Sequence, residues 1–138
     1  MRAVADTNVY ISALNFGGTA EEVLALARVH AIELFVSPSI LAEVEGVLLR
    51  KFHWSEKGVR QATGLIREFA QLVRPKEAIH VITDDEPDNR ILECALEARA
   101  DAVISGDRHL RQLGTFRGMP ILTPGEFLHA HRTQEPRG

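Results

Sequence analysis

The sequence predicts an α/β fold in which a central, mostly parallel sheet of four to five strands lies between two layers of helices. Short apolar runs alternate with longer amphipathic segments along the 138 residues, a pattern typical of strands joined by crossover helices. Two of the short runs are followed directly by an aspartate, Asp6 and Asp107. Since parallel strands end at one edge of the sheet, where ligands bind, we expect these two carboxylates to share a site.

The composition indicates one domain, which we expect over residues 1–133, with a frayed tail at 134–138. A chain that is 45% hydrophobic can bury a proper core at this length. The net charge of -3 and the pI near 6.1 exclude binding of nucleic acid through overall basicity. A single cysteine, Cys94, excludes an internal disulfide and fits a reducing cytosol. Without a long apolar run or a signal-peptide pattern, we expect a cytoplasmic protein that does not contact membranes.

The first half of the chain is expected to form two strands and four helical segments. The expected strands cover residues 2–5 and 32–36, and a short helical segment covers 9–14. Three longer helices follow, the first behind a capping box that starts at Thr19 and the second behind Ser37 with Pro38 in its first turn. The third begins after Ser55, and its apolar row continues to Val73.

The second half is expected to form three strands and two helices. The expected strands cover residues 79–82, 102–104 and 119–122. The helix between the first two of these opens within residues 83–88 and ends near Arg99. The last helix begins with a second capping box, formed by Thr123 and Glu126.

Trp54 and the histidines are interpreted as structural or surface residues. Trp54 precedes the Ser55 cap, so packing against Val59 is favoured over stacking on a nucleic-acid base. The six histidines share no spacing typical of metal ligands. His30 continues an apolar helix face, and His109 is the only histidine close to the expected site.

Four acidic positions fall at the edge of the sheet where the parallel strands end. Asp6 and Asp107 follow the first and fourth expected strands directly. A glutamate lies one turn into the helix after the second strand, but Glu43 and Glu45 flank its apolar face equally, so periodicity leaves that choice open. Asp88 lies in the first turn of the helix after the third expected strand.

Asp88 has the most informative spacing of these acids. It stands three, four and seven residues before Ile91, Leu92 and Ala95, so the carboxylate continues the apolar stripe that faces the sheet. Burial of a carboxylate is costly unless something such as a metal ion compensates for it. The nearby acids are better explained as helix-capping residues; they are Asp84, Asp85 and Glu86.

An all-oxygen cluster of this kind favours Mg²⁺ or Mn²⁺ over zinc, because no histidine or cysteine cluster accompanies it. The chain contains no phosphate-binding P-loop, no dinucleotide-binding glycine motif and no serine-hydrolase elbow. The expected chemistry is therefore metal-assisted.

Four segments of the chain resemble the signature of PIN-domain nucleases. They are Asp6-Thr7-Asn8, Ser37-Pro38-Ser39-Ile40-Leu41-Ala42-Glu43-Val44, Asp85-Glu86-Pro87-Asp88-Asn89 and Ser105-Gly106-Asp107-Arg108-His109-Leu110. Each segment alone is weak evidence. Together they follow the order and spacing of the family over nearly the whole chain, which makes the resemblance specific.

The resemblance implies an α/β/α sandwich and a Mg²⁺- or Mn²⁺-dependent endoribonuclease, similar to the toxins of bacterial toxin–antitoxin pairs. The catalytic and metal-binding residues that it implies, here called the acidic quartet, are Asp6, Glu43, Asp88 and Asp107. It selects Glu43 over Glu45 and assigns supporting hydrogen bonds to Thr7 or Asn8 and to Ser105. An antitoxin protein and a homodimer are the implied partners besides RNA. Since no further acid follows Asp107 nearby, the choice between one and two metal ions stays open.

Metal-assisted hydrolysis of a phosphodiester is the expected reaction. Asp6, Asp88 and Asp107 would hold the ion directly or through water. Glu43 would either bind the ion or orient the groups around it. Because an acidic crevice repels RNA, basic residues are expected to form a rim that contacts phosphate. The candidates for this rim are Arg108, Arg111, Arg50 and Lys51.

Two other classes of function stay open at this point. One is a catalytically silent protein that keeps the fold and regulates RNA or a protein partner. The other is an aspartate-based phosphotransfer protein, in which the aspartate after the first strand accepts phosphate. That second class expects a lysine near a later strand end, whereas Arg108 follows the fourth strand and the last lysine in the chain is Lys76.

Overall fold

The computed structural model of the chain describes residues 1–82 and 86–134, which form a sheet packed between helices. The strands are β1 (Arg2–Ala5), β2 (Glu33–Val36), β3 (Ala70–Leu72), β4 (Ala102–Ile104), β5 (Thr115–Phe116) and β6 (Met119–Leu122). The helices are α1 (Thr7–Phe16), α2 (Gly18–Arg28), α3 (Pro38–Arg50), α4 (Glu56–Phe69), α5 (Glu86–Ala98), α6 (Arg108–Leu113) and α7 (Pro124–Gln134). The predicted tail after 134 and the opening of the predicted helix at 83–85 lie outside the described residues.

The sheet has the strand order β3-β2-β1-β4-β6-β5, and all neighbours are parallel except β5 and β6. This confirms the predicted α/β class with a mostly parallel sheet. The described residues contain one strand more than expected, because β5 and β6 form a tight hairpin around Arg117 and Gly118. Both residues have positive φ, 49° and 83°, as a two-residue hairpin turn requires.

The core lies on both faces of the two central strands. Every residue of β4 is buried, and Val4 and Ala5 of β1 have no exposed surface. Strands of a parallel sheet are apolar on both faces because helices cover both. The central strands therefore hold their carboxyl ends, and the residues that follow, in fixed positions.

The prediction of a third strand at 79–82 is wrong. The third strand is β3, which begins where α4 ends and pairs with β2, Ala70 lying opposite Leu34. The segment does bury Ile79 and Ile82, but Val81 is 48% exposed, so its burial does not follow the two-residue period of a strand. Its backbone is bonded instead to side chains of α5, since the Ile82 N–H and C=O bond to Asn89 at 2.9 and 2.7 Å and the Ile79 N–H donates to Glu93 at 2.9 Å.

The helix caps follow the sequence with one exception. Ser37 accepts from the Ile40 N–H at 3.2 Å, Ser55 from the Gly58 N–H at 3.0 Å, and Thr123 and Glu126 form their reciprocal pair at 2.8 and 3.1 Å. The capping box at Thr19 does not form, because α2 already begins at Gly18 and has no side-chain cap. The turn into α2 is made by Gly17 and Gly18, whose positive φ of 78° and 64° suits glycine.

Trp54 has a structural role, as expected. Its side chain is partly buried against the core, and its indole N–H donates to the Asn15 amide oxygen at 3.1 Å. His30, in contrast, is exposed and lies beyond the end of α2 with φ 60°, so its assignment to an apolar helix face is wrong. In residues 1–82 and 86–134 no helix combines the length and apolar character needed to cross a membrane.

Candidate metal centre

The four acids of the quartet line one small cavity at the carboxyl edge of the sheet. The cavity has a volume of about 40 Å³, and its lining residues are Asp6, Thr7, Asn8, Glu43, Pro87, Asp88, Ile91 and Asp107. Each acid comes from a different element: the end of β1, helix α3, helix α5 and the loop after β4. The fold thus gathers into one place four carboxylates that are separated by up to about a hundred residues in the chain. We call this space the quartet cavity.

Asp6 is held at the N-terminus of α1 by two hydrogen bonds. One carboxylate oxygen accepts from the Val9 N–H at 2.9 Å, which caps the helix, and the other accepts from the Ser105 hydroxyl. The side chain is only 3% exposed. Desolvation by burial raises the Asp6 pKa to about 6, against the opposing effect of both hydrogen bonds and with a further contribution from Asp107 and Glu43.

Asp107 caps a helix in the same way. One carboxylate oxygen accepts from the His109 and Leu110 N–H groups at 2.8 and 3.2 Å, at the start of α6. Burial acts to raise the Asp107 pKa, but the hydrogen bond shared with Asp88 and the two backbone N–H groups outweigh it, so the pKa lies below its ordinary value. Asp107 therefore stays ionised, and its orientation is fixed.

Asp88 lies inward on α5, beside Asp107. It is 9% exposed, and Ile91, Leu92 and Ala95 on the same helix face are buried. Carboxylate oxygens of Asp88 and Asp107 lie within 4.8 Å of each other, so their negative charges repel when both groups are ionised. A metal ion between them would compensate both charges.

Glu43 and Glu45 differ in the structure although they are equivalent in the sequence pattern. Glu43 is half-buried and lines the quartet cavity, whereas Glu45 is not among its lining residues. The structure thus selects the same glutamate as the family resemblance.

His109, which the sequence analysis interpreted as a structural or surface residue near the site, lies beside two acids of the quartet. Its Nδ1 lies 3.7 Å from an Asp107 oxygen and 4.0 Å from an Asp88 oxygen. Ligand atoms of Asp88, Asp107 and His109 lie within 4.8 Å of one another, a span that one metal ion can bridge. The available signal was the Asp-x-His spacing at a helix start, where a capping aspartate brings the second residue of the helix close to its carboxylate.

The three supporting residues surround the quartet in different ways. The Thr7 hydroxyl is buried beside the cavity and has no hydrogen-bond partner among the described residues. Asn8 is exposed at the mouth. Ser105 is fully buried and links two acids, since its hydroxyl donates to Asp6 and accepts from the Asp107 N–H at 2.9 Å.

The four basic candidates are divided by the structure into two groups. Arg108 and Arg111 are exposed on α6, and Arg108 lines a second cavity, of about 420 Å³, next to the quartet cavity. Arg50 and Lys51 lie at the far end of α3, roughly 10 Å beyond Glu43 along the helix axis at 1.5 Å per residue. The Arg50 guanidinium also folds back over Gly46 of its own helix, so these two residues are not brought to the site.

The residues of the quartet cavity fit a hard divalent cation. About 40 Å³ is enough for an ion and about two water molecules, because one water needs roughly 10 to 15 Å³ by the same measure. The donors are carboxylate oxygens and a buried hydroxyl, with one imidazole close by, and such oxygen-rich sites suit Mg²⁺ and Mn²⁺. Among the described residues that line the cavity there is no lysine or arginine, so a phosphotransfer site with a lysine is not supported.

Comparisons with known proteins agree with this geometry. The family model described as PIN domain matches residues 2–109, a range that contains all four quartet residues. A chain of VapBC2 from Rickettsia felis, solved with a DNA fragment from their promoter, has a TM-score of 0.61 at 14% identity and covers 88% of this chain and 97% of that one. A chain of VapBC-1 from nontypeable Haemophilus influenzae has a TM-score of 0.62 at 19% identity. The match covers 91% of this chain and 99% of that one. A search of curated proteins found no significant match.

Proposed function

The chain belongs to the PIN domain family, and from this premise we propose that it is a metal-dependent endoribonuclease that hydrolyses phosphodiester bonds in RNA. The observation that supports this most directly is the convergence of Asp6, Glu43, Asp88 and Asp107 on one cavity of about 40 Å³. A cluster of like charges at this density is unfavourable unless a cation joins it. The cavity is therefore better explained as a catalytic centre than as part of the core.

The quartet and His109 divide the work of the site between them. A bound Mg²⁺ or Mn²⁺ would lower the pKa of a water molecule and offset the charge that develops on the phosphate. Asp88, Asp107 and His109 lie close enough to share an ion. Asp6, whose carboxylate caps α1 and accepts a hydrogen bond from the Ser105 hydroxyl, would supply a further oxygen ligand. Glu43 lines the same cavity from α3, where it would orient the attacking water.

The substrate enters from the side of α6. The quartet repels a polyanion, so a positive group beside it is needed to hold the phosphate backbone. Arg108 is exposed, follows Asp107 directly and lines the adjacent cavity. It is the basic residue best placed for this role.

We further infer that the protein is a toxin held by an antitoxin. Both structural neighbours come from complexes named VapBC, and one of these was solved with promoter DNA. An antitoxin of this protein would cover the quartet cavity or its mouth, since a free ribonuclease is harmful to the cell that makes it. A homodimer stays a prediction of the family resemblance.

The proposal is tested by comparing two substitutions on α5 and α3 with a matched control. Asp88→Asn and Glu43→Gln should abolish Mn²⁺-dependent cleavage of single-stranded RNA, and Asp88→Asn should also weaken Mn²⁺ binding in a calorimetric titration. Glu45→Gln removes an equivalent charge from α3 outside the cavity and should leave both properties unchanged. Cleavage that survives Asp88→Asn or excess chelator would refute the nuclease. Metal binding without any cleavage would favour the silent RNA-binding regulator.

A further inference from the structure

We propose that the cavity of about 420 Å³ beside the quartet binds one unpaired nucleotide of the RNA, next to the scissile phosphate. Its lining residues are Asn8, Val9, Ser12, Thr19, Ala20, Gly106, Asp107, Arg108 and Pro124, and we call it the Arg108 cavity. The proposal rests on the proposed nuclease function, and it specifies which part of the substrate that site selects.

The first argument is position. The Arg108 cavity and the quartet cavity share Asn8 and Asp107 as lining residues, so the two spaces are adjacent. A phosphate bound at the quartet therefore has its own nucleoside, or the one beside it, at the entrance of the larger space. Chain connectivity then favours occupation of this cavity by that nucleoside.

The second argument is the chemistry of the walls. The side chains of Asn8, Ser12 and Thr19 supply hydrogen-bond donors and acceptors, which match the polar edges of a base and the hydroxyls of a ribose. Val9 and Ala20 are buried and supply an apolar surface. Arg108 at the edge supplies a positive charge for the backbone phosphate. This mixture of an apolar floor and a few polar groups is typical of sites for small molecules.

The third argument is size. A volume of about 420 Å³ lies within the roughly 300 to 1,000 Å³ of ligand sites. The walls come from α1 and from the starts of α2, α6 and α7, and a single nucleotide is a ligand of the size that such sites hold. Proteins that read RNA bases usually take them from single-stranded segments or loops, where a base can leave the stack. We therefore expect a single-stranded substrate.

The test fills the Arg108 cavity with a large side chain and measures nucleotide binding. A variant that fills an unrelated cavity of similar size serves as the comparison. Thr19→Trp places an indole in the Arg108 cavity from an exposed position. The matched control is Leu65→Trp, because Leu65 is 57% exposed and lines a cavity of about 510 Å³ between α2 and α4. The probes are inorganic phosphate and the four ribonucleoside 5′-monophosphates, titrated calorimetrically in Mg²⁺.

In the wild type a nucleotide should bind about tenfold more tightly than inorganic phosphate, as two or three net hydrogen bonds would provide. Thr19→Trp should remove this advantage and raise the KM for single-stranded RNA, with Mn²⁺ affinity unchanged. Leu65→Trp should keep the advantage.

Equal affinity for phosphate and all four nucleotides in the wild type would overturn the proposal, and so would wild-type binding by Thr19→Trp. The nuclease proposal is judged separately. If the nucleotide advantage is present and sensitive to Thr19→Trp while no RNA is cut, the nucleotide site stands and the nuclease is refuted. If Asp88→Asn abolishes cleavage but nucleotides bind no more tightly than phosphate, the nuclease stands and the nucleotide site is refuted.

Discussion

The Ser105 hydroxyl donates a hydrogen bond to the Asp6 carboxylate, across the adjacent carboxyl ends of β4 and β1. The same hydroxyl accepts from the Asp107 N–H, so one buried side chain positions two acids of the quartet. Removal of a side chain that positions metal ligands typically costs about tenfold to a hundredfold in metal affinity.

Ser105→Ala is expected to weaken Mn²⁺ binding by about tenfold to a hundredfold, because Asp6 loses the bond that fixes its outer oxygen. Calorimetric titration measures the change. Thr63→Ala serves as the control, since it removes another buried hydroxyl, bonded within α4 to the Val59 carbonyl at 3.2 Å. Equal metal affinity in the two variants would show that Ser105 only supports the fold.

Asp6→Asn should stabilise the metal-free protein at pH 7. The Asp6 pKa is about 6 in the folded chain against an ordinary value of 3.8, so between these two pH values the folded state binds more protons than the unfolded state. The stability of the wild type therefore falls as pH rises from about 4 to 6, by roughly 3 kcal/mol at 1.36 kcal/mol per unit. Asparagine carries no charge and caps helices equally well.

This stability difference is measured by urea denaturation of both proteins with chelator across pH 4 to 7. Without metal, the unfolding free energy of Asp6→Asn should exceed that of the wild type by an amount that grows with pH. In saturating Mn²⁺ the wild type should be the more stable protein. Parallel curves for the two proteins would contradict the raised pKa.

His109→Ala should change the metal preference of the site. Imidazole is a better ligand for Mn²⁺ and later transition metals than for Mg²⁺. We therefore expect Mn²⁺ affinity to fall on the order of tenfold and Mg²⁺ affinity to fall less. The control is His129→Ala, an exposed histidine on α7. Equal losses for both ions would mean that His109 is not a ligand.

Arg108→Ala should weaken RNA binding and reduce the slope of log affinity against log salt by about one, because one phosphate contact is lost. Arg50→Ala should leave both unchanged, since Arg50 lies at the far end of α3. Filter binding of single-stranded RNA to the inactive Asp88→Asn background at several salt concentrations measures this. An equal effect of the two substitutions would indicate a diffuse electrostatic surface.

Asn89→Ala should destabilise the fold by about 3 kcal/mol, because it leaves the N–H and C=O of the buried Ile82 without partners, each at about 1 to 3 kcal/mol. Asn89 has no exposed surface and bonds to both groups. Asn15→Ala, a half-buried amide with two bonds, should cost about 1 kcal/mol. Urea denaturation measures both, and similar values would contradict the role given to Asn89.

The parts of the site that depend on strand ends and helix periodicity could be predicted from the sequence. Asp6 and Asp107 follow short apolar runs, and runs of this kind become parallel strands with a common edge. Asp88 could be placed because its spacing to Ile91 and Leu92 is helical, which fixes the direction of its side chain. Local pattern is sufficient wherever one element determines the position of a residue.

The remaining features depend on contacts between distant segments. Residues 79–82 form a short, mostly apolar run like those of the strands, but the segment packed against them decides whether their backbone bonds to a strand or to side chains such as Asn89. Glu43 and Glu45 flank the apolar face of α3 equally, and the packing of α3 against α1 and α5 selects one. The role of His109 could not be recognised from the sequence, because no other histidine lies at a spacing typical of metal ligands. Its neighbours at the site are Asp88 on α5 and Asp107, which caps the helix that contains His109.

Asp6 and Asp107 each cap a helix with a carboxylate that also lines the quartet cavity. Asparagine would preserve either cap and exchange one oxygen for a nitrogen. Inactivation by a single nucleotide change therefore need not produce a misfolded chain. A folded but inactive variant would still bind an inhibitor of this protein. It would therefore compete with active molecules for that inhibitor.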